Sequence, residues 1–157
     1  CTVQPPQTED DQVEDNQEIK LEQQIETDIR NMLGETANTG LVRIREIEIS
    51  TSNNMYVVSI FYNANQEDKD ELIRYNVHKD AADIYRELFT NYDAIKEINI
   101  YAHLPITDVY DNVRDTRITG ITMRKETADK LYLNLLTPDD IPNLVDEYFI
   151  DNSIRGN

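Results

Sequence analysis

Apolar positions recur along this chain at two spacings, one helical and one alternating, and together they mark out eight elements. Leu21, Ile25, Ile29 and Met32 fall three or four residues apart, which predicts a helix over 19–33, closed by Gly34. LVRIREIEIS (41–50) alternates but changes parity between Val42/Ile44 and Ile47/Ile49, the mark of a strand with a bulge near Arg45-Glu46. Thr51-Ser52-Asn53-Asn54 reads as a turn. MYVVSIFYNA (55–64) is apolar on both parities, as in a central strand, and pairs with its predecessor as a hairpin. Ile73, Val77, Ala81, Ile84 and Leu88 form a helical stripe over 69–90 with a weak point at Asn76.

The second half repeats the alternation. KEINIYAHL (96–104) puts Ile98, Ile100, Ala102 and Leu104 on one face and Asn99, Tyr101 and His103 on the other, with Pro105 as its stop. A loop over 107–115 leads to a strand over 116–124, whose parity slips around Gly120 and so predicts another bulge. A short helix over 125–132 follows. Thr137-Pro138-Asp139-Asp140 then has the chemistry of a helix start, and the last helix covers 141–149. The order α-β-β-α-β-β-α-α predicts one α+β domain over 19–157. Its sheet is expected to be four-stranded and mostly antiparallel, with helices mainly on one face.

Charge changes the reading of the first residues. The chain has 157 residues and a net charge of −16. Six of its 31 acids, and no Lys or Arg, lie in residues 1–19, which leaves −10 for the other 138. Residues 1–18 hold Pro5-Pro6, no aromatic residue and little that can be buried, so they read as a disordered acidic tether. Ordinary solvated tails share that composition. Binding to nucleic-acid phosphates, which needs clustered Lys and Arg, is excluded as the expected function. No apolar run is long enough to span a bilayer.

Cys1 is the lone cysteine, so no internal disulfide or paired-cysteine metal site forms within one chain. Cys1 followed by a polar, Pro-containing stretch resembles a mature bacterial lipoprotein. The resemblance covers Cys1 and about the next 17 residues. It implies a lipid on the Cys1 thiol, a protein anchored on the extracytoplasmic side of the cell membrane, and a partner in the envelope. Two acyl chains suffice for stable anchoring.

Chemistry in the folded part is sparse. Asn63, Asn65 and Glu67 alternate like calcium ligands, but Asp68 stands at the required glycine and Arg74 at the bidentate glutamate. Asp108, Asp111 and Asp115 are weak metal candidates, and solvated turn residues fit them as well. His78 and His103 have no nucleophile motif beside them, and four glycines make no phosphate loop. No cofactor is implied. The candidate binding surface is the polar sheet face: Asn99, Tyr101 and His103, with Tyr56 and Tyr62 of the preceding strand beside them. The expected function is therefore a non-enzymatic, membrane-anchored binding module of the envelope. An acidic inhibitor or immunity-type protein that occludes a basic site is the alternative, and a carboxylate-dependent hydrolase the third reading.

Overall fold

The computed structural model describes the backbone of residues 9–155 and the side chains of residues 20–155. Cys1 and the first part of the expected tether lie outside them. Residues 9–18 form the opening turns of α1 (Glu9–Leu33), which starts earlier than the sequence pattern indicates. Ile25, Ile29 and Leu33 bury one face of this helix. Gly34 ends it at φ +84°, with its N–H on the Arg30 carbonyl at 2.9 Å. A Cβ there would meet nothing within 4 Å, so conformation and not space calls for glycine.

β1 (Ile44–Ser52) and β2 (Met55–Asn63) pair antiparallel through Asn53 and Asn54. Both turn residues have left-handed φ, 54° and 63°, as a two-residue hairpin matched to strand twist requires. The register shifts between Ile44 and Glu46, where the sequence places its bulge. α2 (Asp70–Asn91) runs unbroken through Asn76 and buries Ile73, Val77, Ala81, Ile84, Tyr85 and Leu88. β3 (Ile95–Thr107) and β4 (Val113–Arg124) form the second hairpin. β3 passes through Pro105. Beyond His103 no β2 residue faces it, and the His103 carbonyl bonds Ala64 N–H on that side. Pro105, two residues on, turns its missing donor to the same uncovered side, where proline is tolerated.

α3 (Lys125–Asp129) is followed by 3₁₀ turns at Leu133–Leu135 and Pro138–Asp140, then by α4 (Ile141–Leu144). The helix expected over 141–149 stops at Leu144, and Glu147–Ile150 forms a fifth strand, β5, paired antiparallel with β4. The α+β class holds, but the sheet is five-stranded and mixed, in the order β1-β2-β3-β4-β5. β2 and β3 are parallel because the α2 crossover returns the chain to the same end of the sheet. A last 3₁₀ turn spans Asn152–Ile154.

The hydrophobic core lies between the sheet and α1 and α2. Val58, Ile60, Tyr62, Ile98, Ile100, Leu104 and Ile121 all face the helices. Among the described residues no helix is long and apolar enough to cross a membrane.

Candidate functional site

The helices pack on one face of the sheet, so the other is the surface open to chemistry. Val57, Ser59 and Phe61 of β2 stand there opposite Glu97, Asn99 and Tyr101 of β3. The structure places Asn99, Tyr101 and His103 on this open face, as the alternation implies. Tyr56 and Tyr62 do not join them. Both are buried on the helix side, 5% and 0% exposed, because Tyr56, Val58, Ile60 and Tyr62 share the core parity. The aromatic neighbour of Tyr101 is Phe61, with ring centroids 4.9 Å apart and planes inclined by 21°.

A second bulge supplies a cation. The β3–β4 register shifts between Ala102 and His103, which face Thr119 and Arg117. Ile118 is the extra residue, so the slip lies just before the Gly120 position indicated by the pattern. Simple alternation from Gly120 would turn Arg117 toward the core; the bulge brings it to the open face. Its guanidinium carbon sits 4.4 Å from the centre of the Tyr101 ring and 5.5 Å from that of Phe61. Contacts of this kind contribute about 0.5–1 kcal/mol at exposed sites. Among the described residues the Arg117 side chain makes no hydrogen bond or ion pair, so its N–H donors remain available.

The rest of the face is largely self-satisfied. Asn99 donates to Ser59 Oγ and Glu97 Oε2, both at 3.2 Å, and its carbonyl oxygen accepts from Thr122 Oγ1 at 2.6 Å. The β1 bulge brings Arg45 over, where its Nε donates to Asn63 Oδ1 at 2.7 Å and its Nη2 pairs with Asp115. That contact holds the Asp115 carboxyl below its ordinary range. His103 is buried and its Nδ1 lacks a hydrogen-bond partner; Asp115 Oδ2 is 3.9 Å away. Burial first, and the Arg45 charge next, make His103 harder to protonate than a free histidine.

Two hollows open on this face, and a third, of about 380 Å³, lies at the β4 edge where Arg117 meets Arg114, Asp115 and Asp151. One, of about 370 Å³, is bounded by Tyr101, Arg117, Gly120, Thr122, Glu147 and Phe149. The other, of about 630 Å³, has Met55 and Val57 as its apolar part and Lys96, Glu97, Arg124 and Lys125 around them. Size favours the second, but chemistry favours the first. Arg124 is already engaged by Glu97 at 3.1 Å and Glu147 at 3.5 Å, whereas Arg117 is not.

The remaining sequence candidates separate. The hairpin loop shrinks to residues 108–112, and Asp108 accepts the N–H groups of Tyr110 and Asn112 at 2.8 and 2.9 Å. The Asn112 bond leads in lowering its carboxyl from the usual range. Asp115 lies in β4 and pairs with Arg45, away from that turn. Among the described residues no group of three or more His, Cys, Asp and Glu is placed to hold a metal ion. His78 sits on α2, and its Nε2 shares a 2.7 Å hydrogen bond with Tyr148 Oη of β5. Sequence reasoning missed Phe61, Arg117, Gly120 and Phe149. Phe61 shows in the sequence as an apolar residue of the second parity, whereas Arg117 is hidden by the bulge.

No protein-family model, curated protein or solved structure matches this chain.

Proposed function

We propose that this protein is a binding module that takes its ligand on the open face of the sheet, and that it is not an enzyme. The observation that carries this reading is the Phe61–Tyr101 stack with the Arg117 guanidinium lying against it. Aromatic rings and arginine together supply rigid contact area and directed donors, the combination in which binding energy concentrates. The two rings are half-buried and stacked on their strands, so little ordering of them remains to be done on binding. The envelope setting and the lipid expected on Cys1 belong to the same proposal. Their support is the polar, Pro-containing stretch that follows that cysteine. The mass of the amino-terminal peptide, taken from protein in its native cells, tests the lipid.

The face is tested by ¹⁵N–¹H spectra of the full chain titrated with small organic probes of mixed charge and shape. Shifts concentrated at the amides of Phe61, Tyr101, Gly120 and Phe149 support the reading. Shifts concentrated on the exposed side of α2, around Leu72 and Tyr75, or no shifts at all, overturn it.

A further inference from the structure

The smaller hollow has a shape and a charge, and together they select a ligand class. Gly120 pairs with Tyr101 on one side and with Phe149 on the other. A Cβ added at Gly120 would meet Tyr101 ring carbons at 3.4 and 3.5 Å and Phe149 Cβ at 3.9 Å. Its backbone is ordinary, since among the described residues the positive-φ glycines are Gly34 and Gly40. A methyl would fit there in ordinary van der Waals contact, so Gly120 supplies a low floor between two walls, Tyr101 and the half-exposed Phe149, and larger side chains would fill the slot. At about 370 Å³ it lies within the usual range for small-ligand sites, roughly 300–1,000 Å³.

Charge is uneven along the slot. Arg117 lies at one end, its guanidinium oriented by two rings and unpaired among the described residues. Glu147 faces Thr122 at the other end and is held by Arg124 at 3.5 Å. The Arg45–Asp115 pair and His103 stand on the Arg117 side. An anion therefore meets an available cation at the Arg117 end and a committed acid at the other. A planar guanidinium suits an oxyanion, to which it donates two parallel hydrogen bonds.

Resting on the open-face reading, we propose that this slot binds a small aromatic oxyanion, its ring between Tyr101 and Phe149 and its carboxylate or phosphate on Arg117. The test titrates the full chain with phenylacetate, phenyl phosphate, the neutral isostere phenylacetamide and the cation phenethylamine, followed by ¹⁵N–¹H spectra that include Arg117 Nε–Hε. The anions are expected to bind at least about tenfold more tightly than phenylacetamide, the scale of one charge-assisted hydrogen bond, and to shift Tyr101, Gly120, Phe149 and Arg117 together. Which anion binds tighter tells carboxylate from phosphate. Arg117→Gln should erase the preference while neutral probes still map to the slot. Arg117→Lys should keep part of the preference, and Gly120→Val should exclude every probe. Equal affinity for phenylacetate and phenylacetamide, or an anion preference that survives in Arg117→Gln, overturns the oxyanion proposal and leaves the open face standing. Shifts elsewhere, or none, overturn both.

Discussion

Arg43 is 5% exposed, and the protein meets its charge with four contacts. Its Nε donates to the Leu33 carbonyl at 3.1 Å, its Nη1 to the Asn63 carbonyl at 2.7 Å and its Nη2 to Asp80 Oδ2 at 3.1 Å, while the guanidinium lies 5.0 Å from the Tyr62 ring centre. Tyr62 also donates to Asp80. One side chain thus ties the end of α1 and the end of β2 to α2. Burial pushes the Asp80 carboxyl up more than Arg43 pulls it down, so the pair depends on its full set of hydrogen bonds. Arg43→Met is expected to destabilise the fold by about 3 kcal/mol, because it strands a carboxylate whose side chain is only 20% exposed. Adding Asp80→Leu should recover much of the loss. Urea denaturation of the two variants checks both, and a double variant no more stable than the single one would count against this linkage. Tyr85 plays a smaller role: fully buried, it donates to the Ile121 carbonyl at 2.9 Å. Tyr85→Phe is expected to cost about 1 kcal/mol by the same measurement.

At the scale of elements, the bulges at Arg45 and Ile118 matter most among the three register shifts of the sheet, since each carries an arginine to the open face. The bulge at Arg45 was legible because its parity slip falls between two runs of clean alternation, Val42/Ile44 and Ile47/Ile49. The bulge at Ile118 was legible only as a slip between Ile118 and Ile121, and Gly120 drew it to the wrong residue. Long periodic segments, α1, α2 and β3, were readable because burial on one face repeats over many turns or residues. β5 was not: four residues carry too little periodicity to separate a strand from the end of a helix. The split between Tyr62 and Phe61 was equally hidden, because β2 is apolar on both parities and its neighbours decide which face is inside. β5 is held to the helical layer by the His78–Tyr148 hydrogen bond as well as by β4. Tyr148→Phe is expected to cost about 1 kcal/mol and to speed hydrogen exchange at the β5 amides before those of β3. Unchanged β5 exchange would show that pairing with β4 suffices.

Over the whole molecule, acid strain reaches both histidines. Burial lowers the pKa of His78 and of His103 from the ordinary 6.5, with Arg74 and Arg45 the next contributors. The folded protein therefore binds fewer protons than the unfolded chain just below pH 6.5. Their contribution to stability is complete above that value and is lost as pH falls toward the lower folded pKa. Asp80, raised by burial, has the opposite sign: its contribution is present below 3.8 and lost as pH rises through its folded value. The urea midpoint is expected to fall between pH 7.5 and 5.5, and the fall should shrink in the His78→Gln, His103→Gln double variant. A midpoint that rises toward pH 5.5 would reverse the assignment. The net charge of −16 makes Arg117 on the open face more telling, since so few bases are set against so many acids. The most direct measurement of whether that face is the binding face compares phenylacetate affinity in matched variants of the full chain. Phe61→Ala and Tyr101→Ala remove the ring stack, and Leu72→Ala trims the exposed side of α2, where Leu72 is 44% exposed. Binding weakened about fivefold or more by the first two and unchanged by the third is the predicted result. Binding that survives loss of the stack, or that is lost with Leu72, contradicts it.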